Sequence, residues 1–163
     1  MSLLWAFSHW LYETPFSTGI RESEWSFSLI ETVHVLGLGL MAGTVAIVDF
    51  RLLGLVFKRQ PVSRVLAQVL PLTWIGFAVM AISGLLLFAA SAEKLLHWVF
   101  GAKVALLVLA GLNPLVFHTT VYRNVEGWDQ DGTVPLQARV AAVTSLLLWT
   151  GIIVLGRAVA YVE

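Results

Sequence analysis

Four long apolar runs, separated by short polar segments, constrain this chain more than any other feature. They lie at about residues 25–50, 65–90, 95–119 and 138–161. A helix that crosses a bilayer needs about 20 predominantly apolar residues, and each run supplies them. Strands do not account for the runs, which are too long and show no period-two alternation; an open sheet edge is also not viable in lipid. The expected fold is therefore all-α, a four-helix transmembrane bundle running up-down-up-down with an N-terminal interfacial amphipathic helix. Composition agrees. Hydrophobic residues make up 58% and charged residues 12%, with mean hydropathy +0.84. A soluble domain carries about twice that share of charge.

The chain divides into an N-terminal unit, residues 1–22, and the four-span bundle, residues 23–163. The opening MSLLWAFSHWLYETP has neither a basic n-region nor a small-residue cleavage site, so no cleavable signal is expected. Leu3, Leu4, Phe7, Trp10 and Leu11 recur at helical spacing. With Trp5 and Tyr12 they predict a helix lying in the membrane interface and ending near Pro15. Arg51, Lys58, Arg59, Arg64, Arg123 and Arg139 fall on one side of the spans, against Arg21, Lys94 and Arg157 on the other. This bias predicts cytoplasmic loops after spans one and three. Both termini are then expected on the periplasmic face of a bacterial inner membrane. The polar loop 124–137 carries Glu126, Asp129 and Asp131, with turn residues at Gly127, Gly132 and Pro135.

Several functions are excluded or unsupported. The chain has no cysteine, which removes disulfides and thiolate chemistry. Ten basic and ten acidic residues give no footprint for nucleic acid. No hydrolytic triad, HExxH, phosphate loop or glycine fingerprint is present.

The informative residues are the ionisable ones inside the spans, because a charge near the bilayer centre costs at least about 2.5–3.5 kcal/mol. Glu31 and His34 lie three apart on span one, with Lys103 and Arg157 at a similar depth on spans three and four. Glu31 is expected to pair with Lys103 or Arg157. This level reads either as a structural ion pair or as a polar pocket for a quinone head group, a haem propionate or a proton path. At the opposite end, Asp49, His118 and Arg139, with Arg51, Tyr122 and Arg123, form an expected inner polar cluster near the head groups. Asp49 stands out there, since a short carboxylate snorkels poorly.

Without cysteine, histidine is the strong metal ligand left, and there are four: His9, His34, His97 and His118. His34 and His118 differ by about 20 Å in depth and cannot ligate one iron within a chain. Met80 on span two lies at nearly the depth of His34, so a His34–Met80 pair is the geometrically better haem or metal set. Trp5, Trp10, Trp25 and Trp98 suit an aromatic belt, while Trp74 and Trp149 sit deeper, for core packing or a planar cofactor. Pro71 and Pro114 fall inside spans and should kink them. Gly39 and Gly43 form a small-xxx-small pair, with Gly37 expected to widen that groove for close helix approach or self-association.

The stretches ETVHVLGLGLMAGTVAIVDFRLLG (31–54), PLTWIGFAVMAISGLLLF (71–88) and KVALLVLAGLNPLVFHTTVYR (103–123), with GRAVAY (156–161), resemble a family of small bacterial four-span membrane proteins of unknown function. The resemblance begins near Ser23 and implies the fold without implying an activity. A weaker similarity, to the membrane domain of copper-resistance D-type proteins, implies attention to His34, Lys103 and Asn113. The chain lacks a methionine-rich copper relay.

Three functional expectations follow. One is a small redox-linked subunit binding haem b or contacting quinone at the Glu31–His34–Lys103–Arg157 level. Another is a non-catalytic accessory subunit of a larger membrane complex. The third is a small transporter or copper permease. A self-sufficient enzyme is not expected from four spans with so little mass outside them. A homo-oligomer or a complex within the lipid bilayer is.

Overall fold

The computed structural model describes residues 3–92, 97–129 and 133–159. Lys94, Asp131, Gly132 and Tyr161, named above, lie outside them. The described residues are helical, without strands. Two short helices, α1 (Leu3–Tyr12) and α2 (Pro15–Glu22), precede α3 (Ser26–Leu52), α4 (Val62–Ala90) and α5 (Trp98–Thr120). A 3-10 turn (Tyr122–Asn124) and α6 (Val125–Asp129) lead to α7 (Leu136–Val159). The chain is a multi-pass membrane protein: α3, α4, α5 and α7 are each long and apolar enough to cross a bilayer.

The N-terminal unit contains one helix more than its apolar spacing suggests. Thr14 ends the first helix and caps the second, accepting from the Ser17 N–H at 3.2 Å, and Pro15 opens α2 at the position where its missing N–H costs nothing. Leu3, Phe7, Trp10 and Phe16 are exposed, as are Trp25 and Trp98 at the adjoining helix ends. That matches a belt of aromatic and apolar side chains at one membrane face.

The spanning helices alternate in direction. One end of the bundle, here the terminal end, holds the starts of α3 and α5 and the finishes of α4 and α7. The other, the loop end, holds the 53–61 turn and α6. Side by side, the helices run in the order α4, α3, α7, α5. The consecutive pair α4 and α5 shares at most marginal backbone contact, and the rings of Phe88 and Phe100 meet near their terminal ends at 5.6 Å. The bundle is thus open along the α4–α5 side.

The tightest seam joins α3 to α4. Gly37 lies against Val79 and Met80, and Gly76 against Met41. A Cβ on Gly37 would stand 2.9 Å from Val79 Cγ1, and one on Gly76 would stand 2.7 Å from the Met41 nitrogen. Farther along, Thr73 Oγ1 donates to Thr44 Oγ1 at 2.8 Å. Gly39 and Gly43, expected to form the close-packing pair with Gly37, have open space where a side chain would be. The reason is angular. Successive residues turn about 100° around a helix, so Gly37 and Gly39 look in nearly opposite directions. The helices continue through Pro71 and Pro114.

The loop end is sealed by Leu52, Val62, Phe117, Ala138 and Ala142, with Leu53, Tyr122 and Trp128 packed around them. α3 stops there in a Schellman turn. The Gly54 N–H donates to Arg51 O and the Leu55 N–H to Phe50 O, with Gly54 at φ +73°. α4 has no cap from its own chain neighbourhood, since Pro61 precedes it. Asp129 of α6 supplies one: its buried carboxylate accepts from the Val62 N–H through Oδ1 and from the Ser63 N–H, at 3.0 Å, through Oδ2. This places an anion on the positive end of the helix.

Candidate functional site

At the terminal end, one level of the bundle gathers a polar contribution from α3, α4 and α5 beside a glycine of α7. The half-buried His34 ring leans on α4, where Gly84 makes room: a Cβ on Gly84 would stand 3.1 Å from His34 Cε1. His34 Nδ1 lies 3.0 Å from Ser83 Oγ. Ser83 is buried and donates its one hydroxyl proton to Val79 O at 2.6 Å. Its oxygen therefore accepts from the imidazole, which fixes the proton on Nδ1 and leaves Nε2 as the basic nitrogen.

Lys103 reaches this level from α5. Its Nζ passes over Gly156 of α7, 3.7 Å from where a Cβ would sit, and its charge acts on His34 across the bundle. Glu31 acts on the same ring with the opposite sign. Of the two partners expected for Glu31, Lys103 and Arg157, Lys103 forms no ion pair with it: Glu31 is on the exposed side of α3, while His34 is turned to α4. Three residues advance a helix by about 300°, enough to put the two on different sides of the contact line. Arg157 is exposed beside Gly156. Met80 sits one turn from Ser83, half-buried, its backbone against Gly37.

The expected inner cluster does not assemble. Asp49 is buried on α3, where the Ser145 side chain of α7 acts on its carboxyl. Arg51, also buried, donates through Nε to Gln60 O at 2.8 Å. His118 bonds back to Pro114 O at 2.8 Å and stacks on Tyr122 with centroids 5.0 Å apart. Arg139 is exposed. No ion pair joins them among the described residues. The other histidines have local roles: His97 caps α5 by accepting from the Val99 N–H, and His9 pairs with Glu13 at 3.3 Å. Trp74 is 62% exposed and meets Phe77 edge-on, which places it on the outside of the bundle rather than in the core or over an internal cofactor.

Two cavities lie away from the His34 level. One, of about 550 Å³, runs between α5 and α7 at the loop end, past Asn113, Thr120, Trp128, Gln137 and Thr144. The Asn113 amide bridges its walls, donating to Ala141 O at 3.0 Å. The other, of about 490 Å³, lies between α2 and the end of α4, beside Tyr12, Arg21 and Phe27. Arg21 covers the Tyr12 ring at 3.8 Å there.

Residues 18–162 match a family of unknown function, DUF6644. The chain belongs to that family. No curated protein and no solved structure matches it. In this DUF6644 protein the sequence singles out His34 and Lys103, but not Ser83, Gly84 or Gly156, which position them. Only the antiparallel α3–α4 register, with Gly37 opposite Met80 and Met41 opposite Gly76, puts the Ser83–Gly84 pair across from His34. Chemically, this level of the bundle offers one cationic donor and one oriented imidazole, beside an open helix seam.

Proposed function

We propose that this protein is a small redox-linked subunit of a bacterial inner-membrane complex, and that the His34–Lys103 level holds the head group of a membrane-dissolved quinone or quinol. One observation carries the reading. Lys103 brings an ammonium into the bundle and makes no ion pair among the described residues, while the Ser83 bond orients the His34 ring. A cation inside a span needs a partner or a purpose. A quinone carbonyl accepts from Lys103 Nζ, and a quinol hydroxyl donates to His34 Nε2. The open α4–α5 side supports lateral entry from lipid. Glu31 and Arg157 contribute charge at the rim of the same level.

The test is binding of a short-tailed ubiquinone analogue to the detergent-solubilised chain, followed by tryptophan quenching, with extraction and analysis of co-purified quinone. Saturable binding lost in His34→Ala and Lys103→Met supports the reading. Equal binding in wild type and both variants overturns it.

A second reading rests on the same histidine. An imidazole whose other nitrogen is hydrogen-bonded is the arrangement that orients metal ligands, so His34 Nε2 also suits haem b iron, with Met80, one turn from Ser83 on α4, as the second ligand. A reduced-minus-oxidised spectrum with a pyridine haemochrome assay separates the two. A stoichiometric haem b signal abolished by His34→Ala selects haem. A flat spectrum in protein made with ample haem rejects it.

A further inference from the structure

Asp49 has no place in the quinone reading, and its surroundings ask for an explanation. Asp49 is 6% exposed, the Ser145 side chain on α7 acts on its carboxyl, and the buried Oδ2 has no hydrogen-bond partner among the described residues. The next buried layer toward the loop end follows directly. Leu52 is three residues on from Asp49, and Ala142 three residues before Ser145, and both belong to the apolar seal. That seal separates the carboxyl from the nearby membrane face.

Among the described residues, no charged group faces the carboxyl from any packed element. On its own helix, Arg51 is turned to the 53–61 turn and bonded to Gln60 O. On α4, Arg64 is exposed, and on α7, Arg139 is exposed. On α5, His118 is tied to Pro114 O. Asp129 is engaged at the start of α4. Leaving a lone carboxylate unneutralised in an apolar interior is too costly to be the resting arrangement. With no basic side chain in reach, the neutralising charge must come from solution. It must also be small, because the carboxyl is enclosed by α3, α7 and the seal.

We propose that Asp49 and Ser145 form a binding site for a small monovalent cation, H+ or Na+, between α3 and α7. The carboxyl supplies the charge and the Ser145 hydroxyl a second oxygen. The site is independent of the His34 level, so either reading stands if the other fails.

The experiment uses the full chain in detergent, as wild type, Asp49→Asn and Ser145→Ala. Thermal unfolding is followed across a pH series, with NaCl against choline chloride at equal ionic strength. Infrared spectra of the same samples, with the chain's three aspartates carrying a carbon-13 label, report protonated carboxyl groups. If the cation is Na+, NaCl raises the wild-type midpoint where choline chloride does not, and the difference vanishes in Asp49→Asn. If it is H+, the wild type shows a protonated aspartate carbonyl band near neutral pH. That band is absent in Asp49→Asn and shifted in frequency in Ser145→Ala. Should Asp49→Asn fail to fold, the Ser145→Ala frequency shift or altered Na+ midpoint carries the assignment. A wild type with neither Na+-specific stabilisation nor a protonated aspartate band overturns the proposal.

Discussion

His34 and Ser83, 49 residues apart in sequence, meet across the α3–α4 seam through a 3.0 Å contact between Nδ1 and Oγ. The contact decides which imidazole nitrogen is available to a ligand, because the Ser83 proton is already given to Val79 O. Ser83→Ala leaves the Nδ1–H without that acceptor, which costs about 1–3 kcal/mol for a buried group. The expected outcome is a loss of quinone-analogue affinity of roughly tenfold, since 1.4 kcal/mol is a factor of ten. Titration of the analogue against wild type and Ser83→Ala, with helicity as a folding control, checks it.

The glycines of α3 and α4 divide into two groups with opposite expectations. Gly76→Ala forces a Cβ into the Met41 backbone, at 2.7 Å, where nothing flexible can yield. Overpacking of this kind costs about 1–3 kcal/mol. Gly39→Ala and Gly43→Ala meet open space within the chain and leave monomer stability unchanged. Unfolding midpoints of the three variants in one detergent decide the matter. A Gly43→Ala loss as large as that of Gly76→Ala would show that the Gly39–Gly43 face is covered in the folded protein.

Much of this architecture is legible in the sequence, and the limits have physical causes. Apolar runs of bilayer length fix the spans, so the expected and observed helix ends agree to within three residues over the described part. His34 and Lys103 are conspicuous because charge and imidazole are rare in such runs. Ser83, Gly84 and Gly156 are not, because small residues are common in membrane helices and acquire meaning only through register. A pairing of Glu31 with Lys103 or Arg157 rests on depth alone, and depth does not specify which side of a helix a side chain occupies. Asp129 reads as an ordinary loop acid, since its partners lie 66 and 67 residues away.

Asp129 is expected to govern the loop end. Asp129→Ala removes the cap from the Val62 and Ser63 N–H groups, and loss of an N-cap costs about 0.5–2 kcal/mol. The start of α4 then frays, and the seal around Val62 loosens with it. Amide hydrogen exchange should quicken over residues 62–66 while the His34 level keeps its protection. Uniform acceleration along α4 would instead mean that Asp129 supports the whole helix.

At the α3–α4 turn, two residues adopt positive φ. Gly54 does so at +73° and suits it, whereas Phe57, at +47°, does not. Gly54→Ala should lower stability by about 1 kcal/mol, the cost of placing a side chain in that region. Phe57→Gly should relieve backbone strain, offset by the entropy glycine brings to the unfolded chain. The pair of unfolding midpoints is therefore expected to separate, with Gly54→Ala below wild type and Phe57→Gly at or above it.

Lys103 provides the sharpest distinction between a ligand site and a packing device. A structural ammonium would be missed when removed, because its partners would be left unpaired in the bundle. An ammonium kept for a ligand is instead a standing cost of about 2.5–3.5 kcal/mol when it lies deep, less where the side chain reaches toward the interface. Lys103→Met preserves the length of the side chain and the contact over Gly156 while deleting the charge. The expected result is an unfolding midpoint equal to or above that of wild type, together with loss of quinone-analogue binding. Gain of stability with loss of function is the signature of residues retained for activity. A destabilised Lys103→Met protein that still binds the analogue would assign Lys103 to the scaffold, and the polar level would then need a different ligand.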